Sequence, residues 1–345
     1  MNRAFELHAV PQGAMPVDTR GRLLRDLRVS VIETCNYRCP YCMPEASTPA
    51  ENALDRARRL DFNQIEAVVR SFARLGVRKL RLTGGEPLLR KDLPLLVSRL
   101  AAIPGIDDLA LTTNASLLAG KAEALRRAGL HRLTISLDAL DPETFSQLSG
   151  GRGNVADVLA GIAAAEAAGF TSIKFNAVVQ RGVNEAEVLR LVERFRGTPH
   201  VVRFIEYMDV GTCNGWQPEA VVPSRELHDR IHARWPLRAM QRGYRGEVAA
   251  RHAFVDGQGE VGFVSSVSAP FCGDCNRARL SADGQVFTCL FAAKGSDLRP
   301  SIELGDAAID ARIREIWTGR ADRYSELREV GRGNPKKIEM FFIGG

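Results

Sequence analysis

A chain of 345 residues exceeds one average domain, yet barrels of roughly 200 to 250 residues fold as single units, so one large domain with a smaller appendix is expected. Hydrophobic residues at 45% and charged residues at 26% are ordinary globular values, and no apolar run approaches the ~18 residues of a membrane span, which excludes a helical membrane protein. The net charge of +6 rests mainly on arginine, which suits bidentate recognition of phosphate or carboxylate, unless it reflects only an arginine-rich genome. Residues 1–25 read as an N-terminal extension without an apolar signal core, so a cytoplasmic location is expected, with the seven cysteines reduced and available to metal.

From about residue 28 to 207, short β-branched runs alternate with helical patterns, the mark of βα units around a parallel sheet. Strands are expected at 28–33, 78–83, 108–113, 132–137, 172–179 and 201–206. Helices are expected near 62–75, 92–102, 117–128, 155–168 and 185–196, several closed by glycines such as Gly76, Gly129 and Gly169. Six units fit in this span. The expected fold is therefore α/β, a partial (β/α)6 TIM-like barrel over residues 26–210, with a doubly wound sheet as the alternative. After residue 210 the alternation stops, and 211–345 is expected to form an α+β C-terminal domain with a polar helix near 306–319. The tail "NPKKIEMFFIGG" ends apolar and glycine-rich, unlike a frayed terminus, and is expected to be docked.

Chemistry-bearing residues gather at strand ends. Cys35, Cys39 and Cys42 directly follow the first strand, where barrel enzymes place their chemistry, and three thiolates on a tight loop suit an iron–sulfur cluster with one iron left open. A zinc site would have to recruit a distant fourth ligand. Gly84, Gly85 and Glu86 follow the second strand, Ser136 ends the fourth, and Met208 follows the sixth; a turn, a cap and a core methionine are their plainer readings. Cys272, Cys275 and Cys289 form a second trio, for which a zinc ribbon completed by His252 or Cys213 is the alternative. Arg277 and Arg279, at i and i+2 beside that trio, point to one side of an extended segment and could clamp a polyphosphate. Arg28, Arg81, Lys174 and Arg203 fall at strand positions; if they face the barrel interior, burial of so many cations implies an anionic substrate.

The run "CNYRCPYC", C-x-x-x-C-x-x-C with an aromatic before the third cysteine, resembles the radical S-adenosylmethionine enzymes. In that superfamily the open iron of a [4Fe-4S] cluster chelates S-adenosylmethionine, which is cleaved to a 5′-deoxyadenosyl radical. The resemblance extends nearly end to end to the GTP-cyclising lyases that open molybdenum cofactor biosynthesis. It is carried by "GRLLRDLRVSVIETCNYRCPYCMP", "KLRLTGGEPLLRKDL", "ISLDALDPETF", "RFIEYMDVGTCNGW", "SSVSAPFCGDCNRARLSADGQVFTCLF" and "KKIEMFFIGG".

The resemblance implies conversion of GTP to 3′,8-cyclo-7,8-dihydro-GTP, by hydrogen abstraction at C3′ and attack on guanine C8. It implies two [4Fe-4S] clusters, one on Cys35, Cys39 and Cys42 and one on Cys272, Cys275 and Cys289. Tyr41, Gly85, Ser136 and Met208 would contact S-adenosylmethionine. Arg28, Arg81, Thr112, Lys174, Arg203, Arg277, Ala278 and Arg279 would surround GTP, and Arg277, Arg279, Gly344 and Gly345 would serve catalysis. The implied partners are an electron donor such as flavodoxin or ferredoxin and a downstream cyclic pyranopterin monophosphate synthase, with no nucleic acid, no membrane, and a monomeric or homodimeric state. Two departures stand out. Ala115 sits where many members carry glycine, and Cys213 is an extra thiol, read as unligated. The alternatives are a peptide-modifying radical maturase with an auxiliary cluster, and a zinc-dependent nucleic-acid-binding protein.

Overall fold

The computed structural model describes residues 15–45, 58–328 and 337–344. The six expected strands form in order: β1 (Asp26–Ser30), β2 (Lys79–Thr83), β3 (Asp108–Thr113), β4 (Arg132–Ser136), β5 (Lys174–Val179) and β6 (Val201–Glu206). They pair as parallel neighbours in chain order. Period-two alternation sorts their side chains. Leu27, Leu80, Leu82, Leu109, Leu111, Leu133, Ile135, Phe175 and Phe204 are buried in the hydrophobic core, whereas Arg28, Arg81, Thr112, Lys174 and Arg203 line a central cavity.

The helices between them are α1 (Phe62–Arg74), α2 (Leu93–Ala101), α3 (Ala122–Arg127), α4 (Pro142–Leu148), α5 (Val155–Ala167) and α6 (Glu187–Phe195). The start of α1 is set by a capping box, in which Gln64 N donates to Asp61 Oδ1 at 2.8 Å and Asp61 N to Gln64 Oε1 at 2.9 Å. Its stripe Ile65, Val68, Val69 and Phe72 is buried, and full burial of a side chain like Phe72 contributes about 2 kcal/mol. Helix α3 starts later than the expected residue 117, because residues 115–121 close local turns such as Leu118 N to Ala115 O at 3.0 Å. Helix α4 was not expected. Its signal was nevertheless present, since Asp141 caps the Thr144 amide at 2.9 Å and Pro142 stands at the first turn.

The later segment extends the same sheet at both edges. It supplies α7 (Ser224–Arg234), β7 (Leu237–Ala239), β8 (Ala250–Phe254), β9 (Glu260–Val264), β10 (Arg277–Leu280), β11 (Gln285–Phe287), β12 (Ser296–Asp297), α8 (Arg299–Leu304), α9 (Asp306–Thr318), α10 (Tyr324–Leu327) and α11 (Met340–Ile343). Strand β9 pairs parallel with β6 and β10 parallel with β1, giving the 12-stranded order β12-β11-β10-β1-β2-β3-β4-β5-β6-β9-β8-β7. Among the described residues the sheet does not close on itself, so the barrel is partial. Helix α9 packs on α1: its buried Trp317 donates to Arg22 O at 3.0 Å, and Arg74 bridges to Asp306 and Asp310. Among the described residues no helix is long and apolar enough to cross a membrane.

Candidate active site

Both cysteine trios line one cavity of about 390 Å³ inside the curved sheet. The first trio sits on the loop leaving β1, folded into a turn by Cys42 N and Met43 N donating to Cys39 O at 3.0 and 2.9 Å. Burial, then the proximity of Asp138 and Cys35, pushes the Cys39 thiol well above its ordinary value. Burial, then Cys39 and Cys35, does the same to Cys42. Three thiolates this close repel one another and suit a cationic iron cluster. Among the described residues no three His, Cys, Asp or Glu side chains are gathered to hold a single metal ion.

The glycines after β2 are demanded first by the cysteine loop itself. Gly85 N donates to Ile32 O at 2.7 Å, and a Cβ on Gly85 would collide with the Thr34 carbonyl. The backbone of β2 is thereby seated directly beneath the first trio, with Gly84 and Gly85 on the cavity wall. Glu86, which had no assigned role, is buried and accepts from Thr113 Oγ1 at 2.7 Å, Asn114 N at 2.8 Å and Leu88 N at 3.0 Å. Burial raises its carboxyl to about 7, against those three donors. Asn114 then reaches Asn36 at 2.8 Å, so the end of β3 braces the cysteine loop. Ala115 follows at φ 62°, a left-handed conformation that costs a non-glycine residue on the order of 1 kcal/mol and explains why glycine would be easier there.

Tyr41 is tied to the end of β4, donating to Asp138 Oδ2 at 2.6 Å, while Val178 N donates to Asp138 Oδ1 at 2.8 Å. Ser136 and Met208 reach the same cavity wall from the ends of β4 and β6. All four residues expected at S-adenosylmethionine, Tyr41, Gly85, Ser136 and Met208, line the same cavity as the first trio.

The same cavity is lined by a group of cations. Arg28 stands level with Arg81 on one side and Arg279 on the other in the strand register. Arg81 donates to Thr112 Oγ1 at 3.0 Å and to Thr134 Oγ1 at 2.8 Å, and Arg203 donates to Asn176 Oδ1 at 2.7 Å. These partners are neutral, and the cations depress one another. Burial, then Arg279, Arg277 and Arg81, holds Arg28 well below its ordinary value. Burial, then Arg203, Arg132 and Arg81, brings Lys174 down to about 7, and burial brings Arg203 to about 9 and Arg279 to about 10. A cavity with this surplus of positive charge is built for a polyanion. Ala278 is buried in the hydrophobic core on the other face of β10, so a contact from it to a bound molecule runs through the backbone.

The second trio lies on the turn before β10 and just after β11. Burial would raise the Cys275 thiol, but Arg277 and Arg320 pull it down to about 6, and Arg277 Nη2 donates to its sulfur at 3.4 Å. Arg22 and Arg320 pin the backbone carbonyls of Cys272 and Cys275 at 2.8 and 2.7 Å. The tail reaches the same cavity: Met340 and Phe341 line it, Arg279 donates to the Gly344 carbonyl, and a Cβ on Gly344 would collide with Thr83 of β2. Gly345 lies outside the described residues. Cys213 gives its thiol to Glu339 Oε2 at 2.9 Å and sits 3.9 Å from the Cys42 carbonyl. The loop 240–249 also reaches the cavity, which Tyr244, Glu247, Val248 and Ala249 line. It rests Tyr244 under Lys79 Nζ at 3.2 Å and ties Arg242 and Arg245 to Asp274 at 3.0 and 3.1 Å.

The family model of the radical SAM superfamily matches residues 29–195, and that of molybdenum cofactor synthesis C matches residues 200–326. A GTP 3′,8-cyclase of Xanthomonas campestris pv. campestris (strain B100) is 63% identical over 333 residues, covering 96% of this chain and 98% of that one. A GTP 3′,8-cyclase of Acidothermus cellulolyticus is 50% identical, covering 95% and 98%. Among solved structures, SuiB of Streptococcus suis bound to S-adenosylmethionine aligns with a TM-score of 0.61 at 14% identity, covering 94% of this chain and 78% of that one, a likeness of fold alone.

Proposed function

The chain belongs to the radical SAM superfamily and, within it, to the GTP 3′,8-cyclase family, and from that premise we propose how its residues carry out the family's reaction. It is a radical S-adenosylmethionine enzyme that converts GTP to 3′,8-cyclo-7,8-dihydro-GTP in molybdenum cofactor biosynthesis. The observation that carries this reading is that one cavity is lined by both thiol trios and by Arg28, Arg81, Lys174, Arg203, Arg277 and Arg279.

When bound, the [4Fe-4S] cluster and S-adenosylmethionine supply one-electron chemistry that removes the C3′ hydrogen of GTP, so that C3′ closes onto guanine C8. Cys35, Cys39 and Cys42 would hold that cluster, Gly85, Ser136 and Met208 would contact the cofactor, and Tyr41 keeps the loop in register through Asp138. Arg28, Arg81, Lys174 and Arg203 receive the triphosphate, and binding relieves their mutual repulsion. Arg277 and Arg279, with the Ala278 backbone, close the β10 side over the nucleotide, and Thr112 completes the shell. Cys272, Cys275 and Cys289 would hold a second [4Fe-4S] cluster, which would bind the guanine. Gly344, its carbonyl held by Arg279, would bring the tail to the substrate without a side chain, and Gly345 is proposed to serve catalysis with it.

We divide the chain functionally near residue 210, the earlier part cleaving the cofactor and the later part presenting the substrate. The enzyme works in the cytoplasm as a monomer or homodimer, is reduced by a carrier of the flavodoxin or ferredoxin kind, and hands its product to a cyclic pyranopterin monophosphate synthase.

The test is anaerobic. The reconstituted protein is analysed for iron and sulfide, then given S-adenosylmethionine, reductant and GTP. Iron at both trios, with GTP-dependent 5′-deoxyadenosine and the cyclised nucleotide, is expected. Zinc in place of iron, or 5′-deoxyadenosine formation indifferent to GTP, would overturn the reading.

A further inference from the structure

The tail reaches the site through two polar grips that neither cysteine trio requires. Lys337 is buried, with 3% of its side chain exposed, and its Nζ donates to Asp209 Oδ2 at 2.8 Å and to the Asp209 carbonyl at 2.7 Å. Asp209 follows Met208 at the end of β6 and also accepts from Tyr324 at 2.6 Å and Arg328 at 2.9 Å. Two residues on, Glu339 accepts from Thr212 N at 2.9 Å, Thr212 Oγ1 at 2.7 Å and Cys213 Sγ at 2.9 Å. A Cβ on Gly211, at φ 71°, would collide with that carboxylate. The loop 209–213 is thus shaped to hold one lysine and one glutamate of the tail. Beyond them the single turn of α11 buries Phe341 and Ile343 and delivers the Gly344 carbonyl to Arg279.

Apolar burial alone would keep the tail in the cavity but would not set its register, because Phe341 and Ile343 can slide in a greasy slot and hydrogen bonds cannot. We propose that Lys337 and Glu339 are positioning residues of the reaction: gripping the loop after β6 at Asp209 and Thr212–Cys213, they fix which tail atom meets Arg279. The loop that receives them begins beside Met208 and ends beside Cys42, so the same grip registers the tail against the cofactor side of the cavity. This inference rests on the cyclase reading for its kinetic part and on geometry alone for the rest.

The experiment compares the full-length, reconstituted protein with Lys337→Met, Glu339→Gln and the double variant, and with Lys337→Arg as the conservative control. Amide exchange across residues 338–344 should speed up at least tenfold in the double variant, read by mass spectrometry without turnover. With GTP and S-adenosylmethionine, kcat should fall on the order of tenfold to a hundredfold while KM for S-adenosylmethionine stays within about twofold, as for a misplaced group rather than a lost binding site. Lys337→Arg should recover most of kcat, and iron content should match wild type throughout. Unchanged exchange in the tail, or unchanged kcat despite a released tail, overturns the proposal. So does a fall in kcat that tracks lost iron across the single variants, which marks a purely structural role. If the wild type yields no GTP-derived product, the reaction assigned above fails by itself, and the exchange measurement still decides the grip.

Discussion

The Tyr41 hydroxyl donates to Asp138 Oδ2 at 2.6 Å, so the loop that carries the first three cysteines is fastened to the carboxyl end of β4 by one buried hydrogen bond. Burial raises the Asp138 carboxyl to about 6, with Tyr41 and the Val178 amide opposing. Tyr41→Phe removes the only side-chain donor among these opposing groups and leaves a buried oxygen unpaired. The expected loss is about 1–3 kcal/mol of stability, read by anaerobic thermal melting. Iron should still be incorporated, because all three cysteines are kept, although the Tyr41 hydroxyl also hydrogen-bonds Cys39. An unchanged melting temperature would show that the bond carries no net stability.

Gly85→Ala tests whether the glycines serve the loop or only the ligand. The added Cβ meets the Thr34 carbonyl, a backbone atom that can yield only if the cysteine loop shifts. Overpacking of this kind costs about 1–3 kcal/mol, and here the strain falls on the residue before Cys35. The variant should lose iron from the first trio and keep it at the second, as separate cluster signals in electron paramagnetic resonance would report. Full iron at both trios with weaker S-adenosylmethionine binding would return the glycine to a purely ligand-facing role.

Much of this arrangement is legible from residue types and spacing, and the reasons for the remainder are physical. The six strands are short, β-branched and regularly spaced, so alternation alone places Arg28, Arg81, Lys174 and Arg203 on one face and Leu27, Leu80, Phe175 and Phe204 on the other. What spacing does not encode is pairing between distant segments. Strands β9 and β10 join β6 and β1 across long stretches of chain, and only the three-dimensional register sets Arg279 beside Arg28. Glu86 reads as one acid after a glycine pair until Thr113 and Asn114 are brought to it. Lys337 and Glu339 look like ordinary tail charges, because their partners Asp209 and Thr212 lie more than a hundred residues away. The start of α4 was readable from Asp141-Pro142, a local signal that needs no tertiary contact.

Arg279 lies at the meeting point of tail and substrate shell, with its guanidinium on the Gly344 carbonyl and its backbone level with Arg28. Arg279→Ala should lower kcat/KM for GTP by roughly a hundredfold or more, since it removes a charged donor and frees the tail carbonyl in one step. Iron and sulfide should be unaffected because Arg277, not Arg279, donates to Cys275. Iron loss from the second trio in this variant would make Arg279 part of the cluster's support rather than of the substrate shell.

Lys174 provides a pH signature for the polyanion. Burial and the neighbouring Arg203, Arg132 and Arg81 hold its ammonium at about 7, against 10.5 in an unfolded chain. Because the folded value is depressed, the unfolded state binds more protons between about pH 7 and 10.5, and this group's contribution to the stability of the free protein rises with pH through that window. A bound triphosphate reverses the imbalance and lifts the lysine back toward its ordinary value. Binding of GTP at pH 8 to 9 should therefore take up a proton and weaken as pH rises, whereas near pH 6 both states carry the charge and the linkage vanishes. Calorimetry at pH 8.5 in two buffers of different ionisation heat measures the uptake, and Lys174→Met should abolish it while weakening binding about ten- to a hundredfold. The same variant should leave the free protein no less stable at pH 6.5, where wild type holds an unpaired buried cation. Equal proton uptake in wild type and variant would assign the linkage to another group and remove Lys174 from the phosphate shell.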